Sequence, residues 1–354
     1  MTFEMLSIIK VFIPTTLAFA IGILAAPLLS HYLYQFCVWK KVTGKTALDG
    51  TAALEFNRMH SEREGYTPRM GGILIWTSVF LTAFVLWILS STGTPFFKPL
   101  GFFSRSQTFI PLFVMLVGAV VGFMNDFYDI SHRGEGLRLR VRLGIITLLS
   151  AGIGYWFYAK LGIVAIGIPY YGELVIGFLI VPFFICMSLA IYASGIIDGI
   201  DGLSGGVFGC IYTAYAVLAY HQGQFDIAAL CGAIAGATLA FLWFNIPPAR
   251  FWMTETGTMP LTLTLAVVAF MTDTLGGGYG IAVLPIIGFL LVATVLSSVL
   301  QILSKRIRGK KLFRVAPLHH HFEAIGWPSY KVTMRYWIIG IIMAIVGLII
   351  AVTG

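Results

Sequence analysis

Ten long apolar stretches divide this sequence, and they restrict its fold more than any other feature. Of the 354 residues, 58% are hydrophobic and 11% are charged, whereas about 25% of the residues in an ordinary soluble domain are charged. A helix needs about 20 apolar residues to cross a bilayer. Stretches near this length occur at Ile8–Leu33, Gly71–Ser90, Phe109–Met124, Val141–Tyr158, Leu174–Tyr192, Leu203–Tyr220, Ile227–Phe244, Thr258–Thr274, Ile281–Leu303 and Trp337–Val352. We therefore predict an all-α integral membrane protein, a polytopic bundle of about ten transmembrane helices forming one domain over residues 1–354.

Basic residues are concentrated in alternate loops between these stretches. If the spans alternate in direction, the odd-numbered loops, here called loops one to five, contain 19 of the 23 Lys and Arg residues. The positive-inside rule then places loops one to five in the cytoplasm and both termini on the outside. The formal net charge of +8 is explained by this topology and by attraction to anionic membrane lipid, so nucleic acid is not an expected partner.

The segment SGIIDGIDGLSGG in loop three contains Asp198 and Asp201, about one helical turn apart. They follow an uncharged run from Leu174 to Ile197, and acids at a membrane edge are costly unless they have a function. Neighbouring glycines, including Gly195, let a bulky ligand approach the backbone. The two acids are therefore candidates for binding hydrated Mg²⁺ or the hydroxyl groups of a nucleotide sugar.

Loop two contains GFMNDFYDI, in which Asp126 and Asp129 are predicted to lie on consecutive turns of one helix face. The following segment, GLRLRVRL, supplies Arg138, Arg140 and Arg142. Simple ion pairing at the membrane surface explains this pattern as well as a catalytic role does. Both interpretations stay open at this stage.

Loops one and four each end where an apolar stretch begins. Loop one ends in GYTPRMGG, where Thr67 and Pro68 predict a helix start. In loop four, NIPPARFWMTETGTMP, Asn245 is a candidate donor to a phosphate, Trp252 offers a stacking face and Glu255 precedes a Thr-Gly-Thr turn. The N-terminus of a helix suits an anion, although an acid there also serves as a simple helix cap.

Loop five contains a basic run, SKRIRGKKLFR, followed by VAPLHHHFEAIGWP. His319, His320 and His321 lack the H-x-x-x-H spacing of a helical zinc site, so hydrogen bonding to a phosphate oxygen is the better interpretation. Acids and many cations thus share one face of the predicted bundle. Movement of a phosphoryl group requires this combination, because carboxylates hold Mg²⁺ and cations stabilise the phosphate charges.

Five motifs, in order among ten spans, resemble those of the phospho-N-acetylmuramoyl-pentapeptide transferase (MraY) family: GYTPRMGG, GFMNDFYDI, DGIDGLSGG, NIPPARFWMTETGT and APLHHHFEAIGWP. This family belongs to the polyprenyl-phosphate N-acetylhexosamine-1-phosphate transferases. The resemblance implies transfer of phospho-MurNAc-pentapeptide from UDP-MurNAc-pentapeptide to undecaprenyl phosphate, giving lipid I and UMP for peptidoglycan synthesis. It also implies Mg²⁺ as cofactor and a bacterial inner membrane protein whose active site faces the cytoplasm.

The resemblance implies roles for individual residues. The implied catalytic residues are Asp126, Asn125, Glu255, His319, His320 and His321. Two of these, Asp126 and Glu255, are the implied metal ligands. The implied substrate-binding residues are Asp198, Asp201, Asn245, Trp252, Gly195, Arg63, Thr67 and Gln301.

Four of these positions depart from the family pattern. Asn125 replaces the first of two adjacent aspartates, Gly195 an asparagine, Arg63 the loop-one lysine and Glu255 an aspartate. An amide is neither a base nor a carboxylate nucleophile, so Asn125 argues against a covalent aspartyl-phosphate intermediate at this position. Because the second pKa of a phosphate monoester is about 6, a correctly positioned lipid phosphate can attack the β-phosphorus directly.

Three other functions are compatible with the sequence. The first is a related transferase that uses UDP-GlcNAc or another UDP-sugar. The second, motivated by Asn125, is a catalytically weakened member that still binds nucleotide or lipid. The third is a transporter, although transporters usually place their acids near the membrane midplane and not in loops on one face. The sequence leaves open whether the transfer takes one step or two, how Asn125 and Glu255 affect activity, the peptide-stem specificity and whether the protein forms a homodimer.

Overall fold

Long helices dominate the computed structural model, which describes residues 3–41, 64–131 and 136–354. In chain order the helices are α1 Phe3–Gln35, α2 Ile73–Ser91, α3 Phe109–Ser131, α4 Leu139–Leu161, α5 Ile180–Ala193, α6 Leu203–His221, α7 Phe225–Asn245, α8 Glu255–Met271, α9 Gly280–Ile287, α10 Phe289–Arg308, α11 Leu318–Ala324 and α12 Ser329–Thr353. Short 3-10 turns flank α5 at Gly177–Leu179 and Ser194–Ile197. Two antiparallel strands, β1 (Ala165–Ile168) and β2 (Gly172–Val175), form a hairpin with Ala165 opposite Val175.

The outer surface of the bundle is apolar. Along α12, for example, Ile338, Ile342 and Ile349 are 62%, 54% and 56% exposed, and water would disfavour each square ångström of such surface by about 25 cal/mol. Nine helical segments within the described residues are long and apolar enough to cross a membrane, and α8 is a shorter apolar helix. The predicted fold class is confirmed: the chain is an all-α, multi-pass membrane protein.

Two predicted spans have different boundaries in the structure. The span predicted from Leu174 was wrong at its start, because Leu174 and Val175 belong to the exposed strand β2 and the helical segment begins at Gly177. The span Ile281–Leu303 is divided between α9 and α10 at Gly288. Pro285 and Gly288 account for this break, since neither residue favours the interior of a continuous helix.

Helix α8 is the central helix, and its position determines where Glu255 lies. Every residue from Thr256 to Met271 is buried. Helix α3 approaches α8 through Gly118 and Gly122, where an added Cβ would clash with the backbone of Pro260 and Glu255 respectively. Small residues permit this close contact between membrane helices. The contact brings the cytoplasmic end of α3 next to the first turn of α8.

The described start of α1 and the end of α12 lie at the same end of the bundle, away from loops three and four. Near the start of α1, Lys10 forms an ion pair with Asp226 of α7. At the end of α12, the carbonyl of Gly354 accepts a hydrogen bond from the Tyr279 hydroxyl at 2.7 Å. The β1–β2 hairpin is held at this end too, because the Gly167 N–H donates to Asp273 Oδ1 at 2.7 Å.

Candidate active site

Loops one and four are joined by main-chain hydrogen bonds at the opposite end of the bundle. The Gly71 N–H donates to the Trp252 carbonyl at 2.7 Å, and the Trp252 N–H donates to the Pro68 carbonyl at 2.8 Å. The predicted helix start at Thr67 and Pro68 was wrong, because α2 begins at Ile73. Residues 68–71 instead pair with loop four, and the Pro68 carbonyl accepts its hydrogen bond from Trp252 and not from a following turn of helix. Thr67 is buried beside this pairing, 2% exposed.

Asp126 is fully buried at the end of α3 and bound by loop four. Its Oδ2 atom accepts hydrogen bonds from the Thr254 hydroxyl at 2.5 Å, the Thr256 hydroxyl at 2.5 Å and the Thr256 N–H at 2.8 Å. Its Oδ1 atom receives a longer contact, 3.3 Å, from the Asn125 amide. One carboxylate oxygen is thus fixed by protein donors, and the other is less constrained.

Two arginines neutralise the acids around Asp126. Arg69 lies 2.9 Å from Asp129 and 3.7 Å from Asp126, so the two acids predicted to share a helix face do so and share a cation. Arg142 donates to Glu255 Oε1 at 2.5 Å. Sequence reasoning did not select Arg69 as a site residue, and it treated Arg142 as a nearby cation. A cation directly before a Met-Gly-Gly turn is too weak a signal to identify its acidic partner.

Asp198 lies beside the same segment of loop four. The Thr254 N–H donates to Asp198 Oδ2 at 2.8 Å, and the Ser204 hydroxyl donates to Asp198 Oδ1 at 2.6 Å. Since the Thr254 hydroxyl also donates to Asp126, one residue contacts acids from two distant parts of the chain. Loops three and four therefore converge with the end of α3 at a single place.

Asp201 and Trp252 form the neighbouring part of the site. Asp201 accepts hydrogen bonds from the Trp252 indole N–H at 3.0 Å and from the Ala249 N–H at 3.0 Å. The indole ring is thereby held in one orientation while remaining partly exposed. Asn245 is buried, and its side chain bonds Gly202 N–H and the Phe251 carbonyl, each at 2.9 Å. The predicted phosphate donor is thus an internal bridge between loops three and four in this structure.

The three histidines occupy the short helix α11, next to loop three. His319 and His320 are buried with ring centroids 4.3 Å apart, whereas His321 is partly exposed. His320 Nδ1 pairs with Glu323 Oε2 at 2.7 Å. An added Cβ at Gly199 would lie 2.6 Å from the Nε2 atoms of both His319 and His320. The absence of a side chain at Gly199 therefore allows two histidines to reach the backbone between Asp198 and Asp201.

The remaining predicted site residues have varied surroundings. Gly195 lies against Thr258 of α8, where an added Cβ would lie 3.3 Å from Thr258 Oγ1. Gln301 is committed to loop five, because its amide oxygen accepts the Leu312 and Phe313 N–H groups at 2.9 and 2.8 Å. The amide nitrogen donates one N–H to the Phe313 carbonyl at 2.9 Å, so a substrate could contact this amide only through its second N–H unless those bonds break. Arg63 lies outside the described residues.

The donor set suits a hard cation that retains water. Mg²⁺ usually takes one or two carboxylates and completes its shell with water and substrate phosphates. Asp126 offers the less constrained Oδ1, and Glu255 is a second carboxylate in the same region. Within residues 3–41, 64–131 and 136–354, no three or more His, Cys, Asp and Glu side chains form a metal-binding group. The residues therefore fit a cation shared with a phosphate substrate better than one enclosed by protein.

The chain is similar in sequence to a family of transferases and to several of their members. A protein-family model described as "Glycosyl transferase family 4" matches residues 108–273. A phospho-N-acetylmuramoyl-pentapeptide-transferase of Geobacillus sp. (strain WCH70) is 35% identical over 300 residues, covering 83% of this chain and 86% of that protein. Proteins with the same name from Bacillus velezensis and Bacillus subtilis (strain 168) are 30% and 28% identical over 340 residues, covering 95% of this chain and 96% of each relative.

Proposed function

Since the chain belongs to the phospho-N-acetylmuramoyl-pentapeptide-transferase family, we propose that it transfers phospho-MurNAc-pentapeptide from UDP-MurNAc-pentapeptide to undecaprenyl phosphate. The products would be lipid I and UMP. Family membership makes the protein a phosphotransferase of peptidoglycan synthesis. One structural observation supports the substrates most directly: Asp126 and Asp198, 72 positions apart in the sequence, both bind Thr254. The two acids therefore converge on one residue of loop four, beside which a diphosphate would lie.

The nucleotide would lie against loops three and four. Trp252 presents a partly exposed ring whose plane is set by the hydrogen bond to Asp201, and a base stacked on an aromatic ring contributes about 1–3 kcal/mol. Asp198 and Asp201 would accept hydrogen bonds from ribose hydroxyls or base N–H groups. Asn245 would support this region indirectly, by keeping Gly202 and Phe251 together.

The diphosphate would lie between loop four and the end of α3. Asp126 and Glu255 would hold Mg²⁺, which would supply positive charge to the phosphate oxygens while the phosphoryl group moves. Arg69 and Arg142 lie at the same acids and would bear part of the phosphate charge. His319 and His320, next to Gly199, would donate hydrogen bonds to a phosphate oxygen from the loop-three side.

This arrangement favours direct transfer in one step. The lipid phosphate is largely dianionic at neutral pH, so an oxygen of this phosphate would attack the β-phosphorus and UMP would leave. Asn125 cannot supply a carboxylate nucleophile, and its amide contacts Asp126 and the Leu137 N–H. The residues would therefore act by positioning and charge neutralisation, which are the main requirements of phosphoryl transfer.

The acceptor determines where the reaction takes place. Undecaprenyl phosphate is a membrane lipid, and the proposed site lies at the end of the bundle where most Lys and Arg residues are found. By the positive-inside rule this end would face the cytoplasm of a bacterial cell, and both termini would lie outside the inner membrane. The nucleotide-linked substrate would then arrive from the same side.

Mg²⁺-dependent UMP release in detergent tests the proposal, with UDP-MurNAc-pentapeptide and a polyprenyl phosphate as substrates. We expect the wild-type protein to release UMP, and we expect Asp126→Ala and Glu255→Ala to lose at least about 100-fold in kcat. Asp226→Ala is a suitable control, because this acid pairs with Lys10 at the opposite end of the bundle. Near-normal turnover by both site variants would refute the assignment.

A parallel assay with UDP-GlcNAc separates the two transferase alternatives. Turnover with UDP-GlcNAc and none with UDP-MurNAc-pentapeptide would replace the proposed substrate with another UDP-sugar. Binding of UDP-MurNAc-pentapeptide without turnover would favour the catalytically weakened alternative.

A further inference from the structure

Thr254 has a backbone conformation that threonine rarely adopts. Its φ is +56° and its ψ is −171°, at the edge of a region that is populated almost exclusively by glycine. The strain is greater for threonine than for most residues, because its Cβ carries two heavy atoms. Such a conformation persists when surrounding contacts hold it in place. The threonine side chain should therefore provide contacts that a glycine would not.

The Thr254 side chain is buried, 8% exposed, and contacts two parts of the site. Its hydroxyl donates to Asp126 Oδ2 at 2.5 Å and accepts the Met70 N–H at 3.1 Å. Its backbone N–H donates to Asp198 Oδ2 at 2.8 Å. The N–H contact depends on the backbone and is available to any residue except proline. The hydroxyl contacts require serine or threonine.

The two kinds of contact serve different acids. Glycine at 254 would relieve the strain and keep the N–H bond to Asp198, but it would lose the hydroxyl contacts with Asp126 and Met70. Asp126 would retain two donors on Oδ2, both from Thr256, so the carboxylate would stay buried but gain rotational freedom. What Thr254 adds is therefore the orientation of the Asp126 carboxylate, and with it the direction of Oδ1.

We propose that Thr254 is a positioning residue for the transfer reaction: its hydroxyl orients Asp126 so that Oδ1 faces the transferring phosphate and its cation. This inference rests on the proposed function. A change of the Thr254 side chain should affect kcat and KM differently, because the N–H group that contacts the nucleotide-side acid Asp198 does not depend on the side chain. Loss of the hydroxyl should lower kcat and leave the KM for the UDP-substrate nearly unchanged.

Three substitutions separate the hydroxyl from the strain. Thr254→Val removes the hydroxyl and keeps a β-branched side chain in the strained conformation. Thr254→Gly removes both the hydroxyl and the strain, and Thr254→Ser keeps the hydroxyl. Thr238→Val is the matched control, since Thr238 is also buried and its hydroxyl bonds the Ile234 carbonyl within its own helix.

We expect kcat for UMP release to fall by about 10- to 100-fold in both Thr254→Val and Thr254→Gly, with the KM for UDP-MurNAc-pentapeptide changed less than about threefold. Thr254→Ser and Thr238→Val should retain kcat within about threefold of wild type. The thermal midpoint in detergent should be lower for Thr254→Val than for Thr254→Gly, because the valine variant retains the strain. If Thr254 had only a structural role, activity would follow stability, and the more stable glycine variant would recover activity.

A second measurement does not depend on turnover. After removal of divalent ions with EDTA, added MgCl₂ should raise the thermal midpoint of the wild type and Thr254→Ser more than that of the valine and glycine variants, since a bound ligand stabilises the folded state. Equal Mg²⁺-dependent shifts in all four proteins, or near-normal kcat in the valine variant, would overturn the positioning role. If the wild type releases no UMP, the proposed function fails, and the MgCl₂ shifts still test Thr254.

Discussion

Replacing Asn125 by aspartate should destabilise the metal-free protein. Asn125 is 5% exposed; its amide nitrogen contacts Asp126 Oδ1 at 3.3 Å and its amide oxygen accepts the Leu137 N–H at 3.1 Å. Asn125→Asp keeps the acceptor for Leu137 but turns the donor contact into a contact between two negative oxygens. Two unit charges 4 Å apart repel by about 4 kcal/mol at an effective dielectric constant of 20. Arg69, which lies 3.7 Å from Asp126, offsets part of this repulsion, so we expect a net loss of about 2 kcal/mol.

Thermal unfolding in detergent, with EDTA or with MgCl₂, measures this effect. We expect the thermal midpoint of Asn125→Asp to fall below that of the wild type in EDTA, and MgCl₂ to restore more of the loss in the variant, because a divalent cation compensates the added charge. Asn125→Ala is the control, since it removes the amide without adding a carboxylate. A thermal midpoint in EDTA equal to or above the wild-type value would contradict the electrostatic argument. Equal losses for aspartate and alanine would attribute the effect to the missing amide.

Three further predictions concern other parts of the structure. Trp252→Phe keeps an aromatic face but loses the N–H bond to Asp201, so the KM for the UDP-substrate should rise about threefold. Trp252→Ala should raise this KM at least tenfold, since stacking contributes about 1–3 kcal/mol. An unchanged KM in both variants would exclude stacking. Arg69→Leu leaves the buried acid Asp129 without the cation found 2.9 Å away, and we expect the free energy of unfolding to fall by about 3 kcal/mol. Unfolding by denaturant measures this value, and a value equal to that of the wild type would contradict the prediction. Burial raises the pKa of Asp273, which follows α8 at the end of the bundle opposite loop four, to about 6 from an ordinary value of 3.8. Relative to the unfolded chain, the fold therefore favours the protonated carboxyl, and about 3 kcal/mol of stability present below pH 4 should be lost as the pH rises through 6. Asp273→Asn should remove this dependence of the thermal midpoint on pH, and a pH profile identical to that of the wild type would disprove the assignment.

The helices were predictable from the sequence because a bilayer imposes a length and a composition on each span. The paired acids Asp126 and Asp129 were predictable too, because three-residue spacing places two side chains on one helix face. The hairpin at β1 and β2 was not, since Leu174 and Val175 are as apolar as the helix that follows them. The hairpin is distinguished instead by its backbone turn, where Tyr170 and the first residue of β2, Gly172, have φ values of +64° and +92°.

That acids and arginines gather at one end of the bundle was predictable from the sequence, but their individual partners were not. Residue types and motif order indicated acids for a cation and cations for phosphates. Which arginine meets which acid depends on helix packing, and Arg69 reaches Asp129 only because loop one pairs with loop four. Asn245 illustrates the same limit: its amide can donate to a phosphate, but tertiary contacts have already used both ends of the group.

The pairing of Pro68 and Gly71 with Trp252 has a consequence for how this protein tolerates sequence change. These bonds are made by peptide groups, which are common to nearly every amino acid. This pairing of the two loops therefore does not depend on side-chain hydrogen bonds, but it does depend on the small size of Gly71, where an added Cβ would clash with the Phe251 ring.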